Sequence, residues 1–163
     1  MAFLLCTSLS YTAAGQNFYK KNISISVAAT VMSTGSVEIV TLQNISVGGT
    51  SRLTGELFIS PLTGDKAGLM MLKGKPGSVA RVRCLLTEEL QEINGNGCLV
   101  IHYQLSGYPG RVQHAAKIID TGEVNVTFNE EGVYYLWIGG RIDLKRALPG
   151  IYRGQFTIEV EYL

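Results

Sequence analysis

Apolar and polar residues alternate along much of the chain, with the period of two that a half-buried β-strand requires. The alternation is cleanest in residues 156–162 (FTIEVEY) and is clear again in residues 23–27 (ISISV). Turn signals rich in glycine, asparagine and proline, such as residues 73–77 (KGKPG) and 94–97 (NGNG), separate about nine such segments. Short strands at this spacing predict an all-β chain, arranged as a single antiparallel β-sandwich.

Three features depart from the simple alternation. Residues 87–93 (TEELQEI) form the one plausible helical turn. The pair Gly139–Gly140 predicts a bend or bulge within a strand. The acidic pairs Glu88–Glu89 and Glu130–Glu131 are placed in turns, as solvated side chains. Since no linker divides the chain, we expect one domain preceded by an N-terminal arm.

The composition narrows the class of protein further. Nineteen of the 163 residues are glycine, only 17% are charged, and the formal net charge is +1. A net charge this low gives no electrostatic reason to expect nucleic-acid binding. No apolar stretch reaches the ~18 residues that could span a bilayer. A coiled coil, a disordered tail and a basic nucleic-acid binder are therefore excluded.

The first fifteen residues carry no charge and begin with an apolar run. Ala13 and Gly15 stand at the two small positions that precede a signal-peptidase cut, which would fall before Gln16. Residues 1–15 are thus expected to be either a cleaved secretory leader or a retained apolar arm. Residues 16–36 are assigned to an N-terminal strand, and residues 37–163 to the β-sandwich domain.

Cys84 ends one strand-like segment and Cys98 begins the next. The two thiols could face each other across a hairpin and form a disulfide, which an exported protein would tolerate. The alternative is a pair of free thiols, because cysteine is often buried without a partner. The spacing of cysteine and histidine fits no metal site.

The sequence offers little basis for catalysis. His102 lies within a strand pattern, and His114 stands between Gln113 and Ala115. Neither has the nucleophile and carboxylate context of a catalytic triad, and no glycine-rich segment has the strand–loop–helix context of a phosphate loop. We therefore expect a protein that is not an enzyme and that needs no cofactor or metal.

The last fourteen residues, Gly150–Leu163, form the most informative segment. They read Gly-x-Tyr-x-Gly-x-Phe-x-Ile-x-Val-x-Tyr, with a penultimate tyrosine. This pattern resembles the C-terminal strand of bacterial fimbrial (pilin-like) subunits and of related secreted β-sandwich domains. The related domains include the spore-coat-U-like group and a neighbouring family of unknown function. Residues 103–109 (YQLSGYP) and 139–144 (GGRIDL) are similar to segments of that family, so the resemblance covers most of residues 37–163.

The resemblance implies an immunoglobulin-like sandwich that lacks one strand and accepts it from a neighbouring copy, which is donor-strand complementation. The physical basis is β-augmentation, in which main-chain hydrogen bonds form along an open edge while alternate side chains enter apolar pockets. The protein would then be a structural subunit of an extracellular filament on the bacterial cell surface. Its partners would be copies of itself, together with an assembly chaperone and outer-membrane export machinery.

Two N-terminal segments have the alternation of a donor strand, residues 3–9 and residues 18–31. The second has the better β pattern, with Ile23, Ile25 and Val27 as the donor side chains, but it could equally be the first strand of its own domain. The acceptor groove would be lined from the C-terminal strand by Gly150, Tyr152, Phe156, Ile158, Val160 and Tyr162. Alternatively, the C-terminal pattern is an ordinary strand of a monomeric sandwich.

A monomeric secreted binding module, or an adhesin that binds carbohydrate or another surface, is the competing function. It would use exposed aromatic side chains as a stacking platform, with Tyr108, Tyr134 and Trp137 as the candidates. Packing in the core or on a strand face is the simpler role for these three residues.

Overall fold

A computed structural model of the chain describes residues 23–34, 37–48 and 55–163. These residues form twelve β-strands and one short 3₁₀ helix, with no α-helix among them. The all-β expectation is therefore confirmed. The strands are β1 (Ile23–Thr34), β2 (Glu38–Gln43), β3 (Ile45–Val47), β4 (Glu56–Ile59), β5 (Gly68–Lys73), β6 (Val79–Cys84), β7 (Thr87–Glu92), β8 (Cys98–Tyr108), β9 (Lys117–Ile119), β10 (Glu123–Thr127), β11 (Val133–Asp143) and β12 (Gly150–Tyr162).

All twelve strands belong to one mixed sheet that wraps around a shared core and is nearly barrel-shaped. Hydrogen-bonded neighbours follow one another as β12–β1–β3, then β2–β5–β11–β8–β7, and β7 returns to β12. Only Asn44 separates β2 from β3, so these two short strands carry the chain from the edge of β5 to the edge of β1. β1 runs parallel to β12, whereas every other ladder between the described strands is antiparallel. The expected purely antiparallel arrangement is thus corrected at one pair.

The core is built from the inward side chains of nearly every strand. In β8, for example, Leu99, Ile101, Tyr103 and Leu105 are buried while Val100 and His102 are exposed. Burial of each large apolar side chain contributes about 1.5–3 kcal/mol. The alternation seen in the sequence therefore reflects which face of each strand meets the common core.

Residues 87–92 form strand β7, and the prediction of a helical turn there is wrong. β7 and β8 make a hairpin in which Leu90 pairs with Leu99, and Leu90 is fully buried. The backbone N–H of Glu92 donates to the carbonyl of Gly97 at 2.9 Å, which closes the turn. The asparagine–glycine turn and the cross-strand pairing thus override the helix-forming composition.

The pair Gly139–Gly140 forms no bulge against β8, because the register with that strand is unbroken from Tyr135 to Ile142. Instead, the other edge of β11 changes partner at this point, from β5 to β4. A side chain at position 139 would collide with the carbonyl of Ile59. Glycine is therefore needed for the close approach of a crossing segment.

Candidate functional site

Strand β1 closes the sheet between two strands that have no ladder with each other. Its ladder with β12 runs in parallel from Ile23 opposite Gly150 to Thr34 opposite Glu161. On its other edge, Ile25 to Val27 pair with the antiparallel strand β3. Without β1, the sheet would have an open seam along the whole of β12.

The first three inward side chains of β1 are buried. Ile23, Ile25 and Val27 are 1%, 0% and 2% exposed, whereas Ser24 and Ser26 on the outer face are half-buried and Ala28 is exposed. The three donor candidates therefore occupy the seam of their own chain, as strand β1 of its sheet. Together they contribute several kcal/mol of apolar burial, at about 1.5–3 kcal/mol each.

The wall of the seam is the inward face of β12. Tyr152, Phe156, Ile158 and Val160 are all buried, and they carry the cleanest alternation in the chain. Gly150 and Tyr162 are partly buried at the two ends of the strand. The structure thus brings the six predicted groove residues together along one strand, beside the three predicted donor residues.

In the β1–β12 pair, a larger residue on one strand lies beside a smaller residue on the other. Val27 lies beside Gly154, and Ala29 lies beside Phe156. A side chain at position 154 would collide with Leu90 of β7, so that space is already filled from the opposite side. A small cavity of about 10 Å³ remains beside Ala29, lined also by Val27, Ile45 and Phe156.

The carboxylate of Glu88 links β12 to the tyrosine that packs against Phe156. The Phe156 ring meets the Tyr103 ring edge-on, with centroids 4.8 Å apart. The Tyr103 hydroxyl donates to one oxygen of Glu88 at 3.2 Å, and the Gln155 backbone N–H donates to the other at 3.2 Å. Burial, together with the nearby charge of Glu88, raises the pKa of Tyr103 well above its ordinary value. Glu88 therefore lies in strand β7, and the prediction of a solvated turn residue is wrong. Nothing in the sequence indicated that Glu88 would bridge Tyr103 and Gln155.

The far end of β12 is tied to the turn after β5. The Tyr162 hydroxyl accepts the Lys75 backbone N–H at 2.8 Å, and its ring lies 6.2 Å from that of Phe128. The penultimate tyrosine of the C-terminal pattern therefore holds two strand ends together.

The outer face of β6, β10 and β12 carries a ladder of alternating charges. Arg83 contacts Glu123 at 2.8 Å and Glu161 at 3.0 Å, and Arg81 contacts the same two carboxylates at 3.2 and 3.4 Å. The hydrogen bond from Arg83 lowers the pKa of Glu123. Glu123 is exposed and the other three groups are half-buried. Each arginine is paired with both carboxylates, so the ladder offers no unpaired charge to a ligand.

The two cysteines of the described region are free and lie apart. In the β7–β8 hairpin Cys98 stands opposite Gln91, while Cys84 pairs with Ile158 of β12. The suggested Cys84–Cys98 disulfide is therefore not formed. The register of the hairpin sets Gln91, and not Cys84, opposite Cys98. Burial raises the pKa of the Cys84 thiol to about 11, which disfavours the reactive thiolate.

The candidate stacking residues of a binding module do not form a platform. Trp137 is 5% exposed, and its ring centroid lies 6.2 Å from that of Tyr135. Tyr134 is partly buried, its hydroxyl lies where a side chain of Gly107 would stand, and burial raises its pKa. Tyr108 alone is exposed, at 36%. Packing therefore accounts for two of the three.

The two histidines lie outside the strands β1 and β12. The Thr87 hydroxyl lies 3.2 Å from Nδ1 of His102, and His114 lies in the 3₁₀ helix, Gln113–Ala115. Among the residues that the structure describes, no three histidine, cysteine or carboxylate side chains are grouped to hold a metal. Over the same residues, no helix has the length and apolar character needed to cross a membrane. Residues 1–15 and the alternative donor, residues 3–9, lie outside the described residues.

No protein-family model matches this chain, and no curated protein matches it.

Proposed function

We propose that this protein is a structural subunit of an extracellular filament on the bacterial surface, and that copies are joined by donor-strand complementation. Strand β1 is the donor, with Ile23, Ile25 and Val27 as its anchoring side chains. The seam beside β12 is the acceptor, in a domain whose layers correspond to an immunoglobulin-like sandwich. Copies of the same chain are the partners, with an assembly chaperone and export machinery acting before assembly.

The position of β1 carries this proposal. It is the first strand of the described chain, and it makes one continuous ladder with β12. A strand of this kind can leave its seam and be replaced by the same strand of another copy, with all contacts remade. Exchange of an identical element is a low-cost route to assembly, and head-to-tail exchange produces open chains.

The competing state is the chain that fills its own seam. Within one chain the arm is held at a high effective concentration, so the self-filled monomer is favoured in dilute solution. Assembly therefore requires a high protein concentration or a factor that holds the seam open. A chaperone that occupies the seam until the next copy arrives would serve this purpose.

A deletion and rescue experiment tests the proposal. A chain that lacks residues 1–34 is expected to form no filaments and to fold only when a synthetic peptide of residues 23–34 is supplied. The matched control is the same peptide with Ile25→Asp, which should neither bind nor rescue. Filaments that persist after the deletion, seen by negative-stain electron microscopy, would contradict the proposal.

A further inference from the structure

The last residue of β1 and the first residue of β2 lie at one end of the barrel, here called the hinge end. Thr34 pairs with Glu161 there, and Glu38 pairs with Lys73. The hydrogen bond between Lys75 and Tyr162 joins the same two strand ends, β5 and β12. Three residues, 35–37, span the gap between Thr34 and Glu38.

So short a connection restricts how two copies can share β1. With consecutive Cα atoms about 3.8 Å apart, Thr34 can stand at most about 15 Å from Glu38. If β1 enters another copy in the observed register, its Thr34 lies beside Glu161 at the hinge end of the acceptor. The donor keeps Glu38 at its own hinge end, so the two copies must meet hinge end to hinge end.

That arrangement is self-closing. The acceptor's own β1 leaves from the same interface, and the nearest vacant seam is the one that the donor has just emptied. Each copy has one hinge end, so a third copy cannot approach. Exchange over the short connection therefore stops at a closed pair, in which each chain fills the seam of the other.

Strand β2 is the element most easily released to lengthen the connection. None of its six residues is fully buried, its ladder with β5 is irregular between Thr41 and Gln43, and its first pair is an exposed Glu38–Lys73 contact of 3.4 Å. Gln43 holds its end through a hydrogen bond from Nε2 to the carbonyl of Ala67 at 2.9 Å. Detachment would also expose Val37, the last residue of the connection, which is buried.

We propose that β2 is a releasable part of the donor arm, and that its detachment from β5 decides whether exchange ends at a closed pair or continues as a filament. This inference rests on the proposed function. Once β2 is free, the arm is anchored at Ile45, which pairs with Val27, away from the hinge end. The connection then comprises the ten residues 35–44, and the acceptor can bind at the flank of the donor, so that the donor's hinge end stays available.

A reversible clamp on β2 tests this inference in the full-length chain. Glu38→Cys with Lys73→Cys joins the first pair of the β2–β5 ladder by a disulfide, in a background where Cys6, Cys84 and Cys98 are serine. Oxidised protein should assemble only as far as two copies, and the same protein after reduction should form filaments. Light scattering gives the number of copies, and electron microscopy detects the filaments. Gln43→Ala, without the clamp, should raise the ratio of filaments to pairs.

The outcomes separate the two proposals. Filaments that form equally well with the clamp oxidised and reduced would overturn the role of β2, while leaving exchange of β1 intact. An unchanged ratio of filaments to pairs in Gln43→Ala would count against it in the same way. If neither redox state exchanges β1 at any concentration, the proposed function fails, and the role of β2 fails with it.

Discussion

Strand β12 has two flanks, and they are held in different ways. On one flank, β1 forms a single parallel ladder, and its side chains Ile23, Ile25 and Val27 are buried. On the other, β6 pairs from Ile158 to Tyr162 and β7 only at Tyr152 and Arg153, so the ladder is interrupted between them. Between β6 and β7, the Glu88 carboxylate accepts the Gln155 backbone N–H of β12. On the outer face of β12, Glu161 pairs with Arg83.

Under the proposed function, this difference decides which flank would serve assembly. The β6–β7 flank is part of a continuous stretch of chain that also builds the β7–β8 hairpin, so it cannot leave without the core. The β1 flank is one strand, attached through a short connection, and its contacts can be supplied equally well by another copy. The following changes should affect the two flanks unequally.

The largest effect is expected from a charge on the inner face of β1. Ile25→Asp places a carboxylate at a fully buried position and should cost at least about 4 kcal/mol of unfolding free energy, since no partner there can compensate it. Urea denaturation measures the loss. Ser26→Asp, on the outer face of the same strand, is the control and should change stability little. Equal losses in the two variants would contradict the inward placement of Ile25.

An intermediate effect is expected under the other flank. Glu88→Ala removes the acceptor for both the Tyr103 hydroxyl and the Gln155 N–H, and should cost about 1–3 kcal/mol. The neighbouring exposed residue provides the control, since Glu89→Ala should be nearly neutral. Thermal or urea unfolding measures the stability of the two variants. If both variants are as stable as the wild type, the bridge from Glu88 to Tyr103 and Gln155 is refuted.

A smaller, stabilising effect is expected at the cavity in the seam. Ala29→Val adds methyl groups beside the space of about 10 Å³ and should stabilise the chain by about 0.5–1 kcal/mol. Ala28→Val, which points outward from the same strand, should not. If the inner substitution instead destabilises the protein, the seam is already fully packed at Ala29.

The smallest effect is expected from the charge ladder, through its dependence on pH. The pKa of Glu123 is lowered in the folded protein, so its contribution to stability is present above the unfolded value of about 4.5 and is lost as the pH falls through the folded value. Wild type should therefore lose slightly more stability than Glu123→Gln between pH 6 and pH 3. Parallel stability curves for the two proteins would show that the ladder contributes nothing.

The sequence pattern predicts the two strands of the seam because residues 23–27 and 156–162 alternate between apolar and polar side chains. It places Ile23, Ile25 and Val27 on one face and Phe156, Ile158 and Val160 on another, and both faces are buried in the structure. Alternation says which face is inward but carries no information on the neighbour, so the parallel pairing of β1 with β12 could not be foreseen. For the same reason, the pattern left open whether β1 serves its own domain or another copy.

Long-range contacts account for what the sequence did not predict. Residues 87–92 have a helical composition, and only the hairpin with β8 makes them a strand. The role of Glu88 depends on Tyr103 and Gln155, which are distant in sequence. The Cys84–Cys98 proposal assumed that the ends of two strands face each other, whereas the register sets Gln91 opposite Cys98.

A disulfide between chains would show whether β1 of one copy fills the seam of another. Ser26 and Arg153 are partners in the β1–β12 ladder, and Arg153 is exposed on its outer face. One chain carries Ser26→Cys. A second chain carries Arg153→Cys and a tag that makes it heavier, so that the two chains can be told apart by mass. Both chains lack the native cysteines. A chain with both substitutions, which should crosslink within itself, is the control. Mixed assemblies are expected to accumulate a disulfide between the light and heavy chains. Assemblies that form without that crosslink, while the control closes normally, would contradict it.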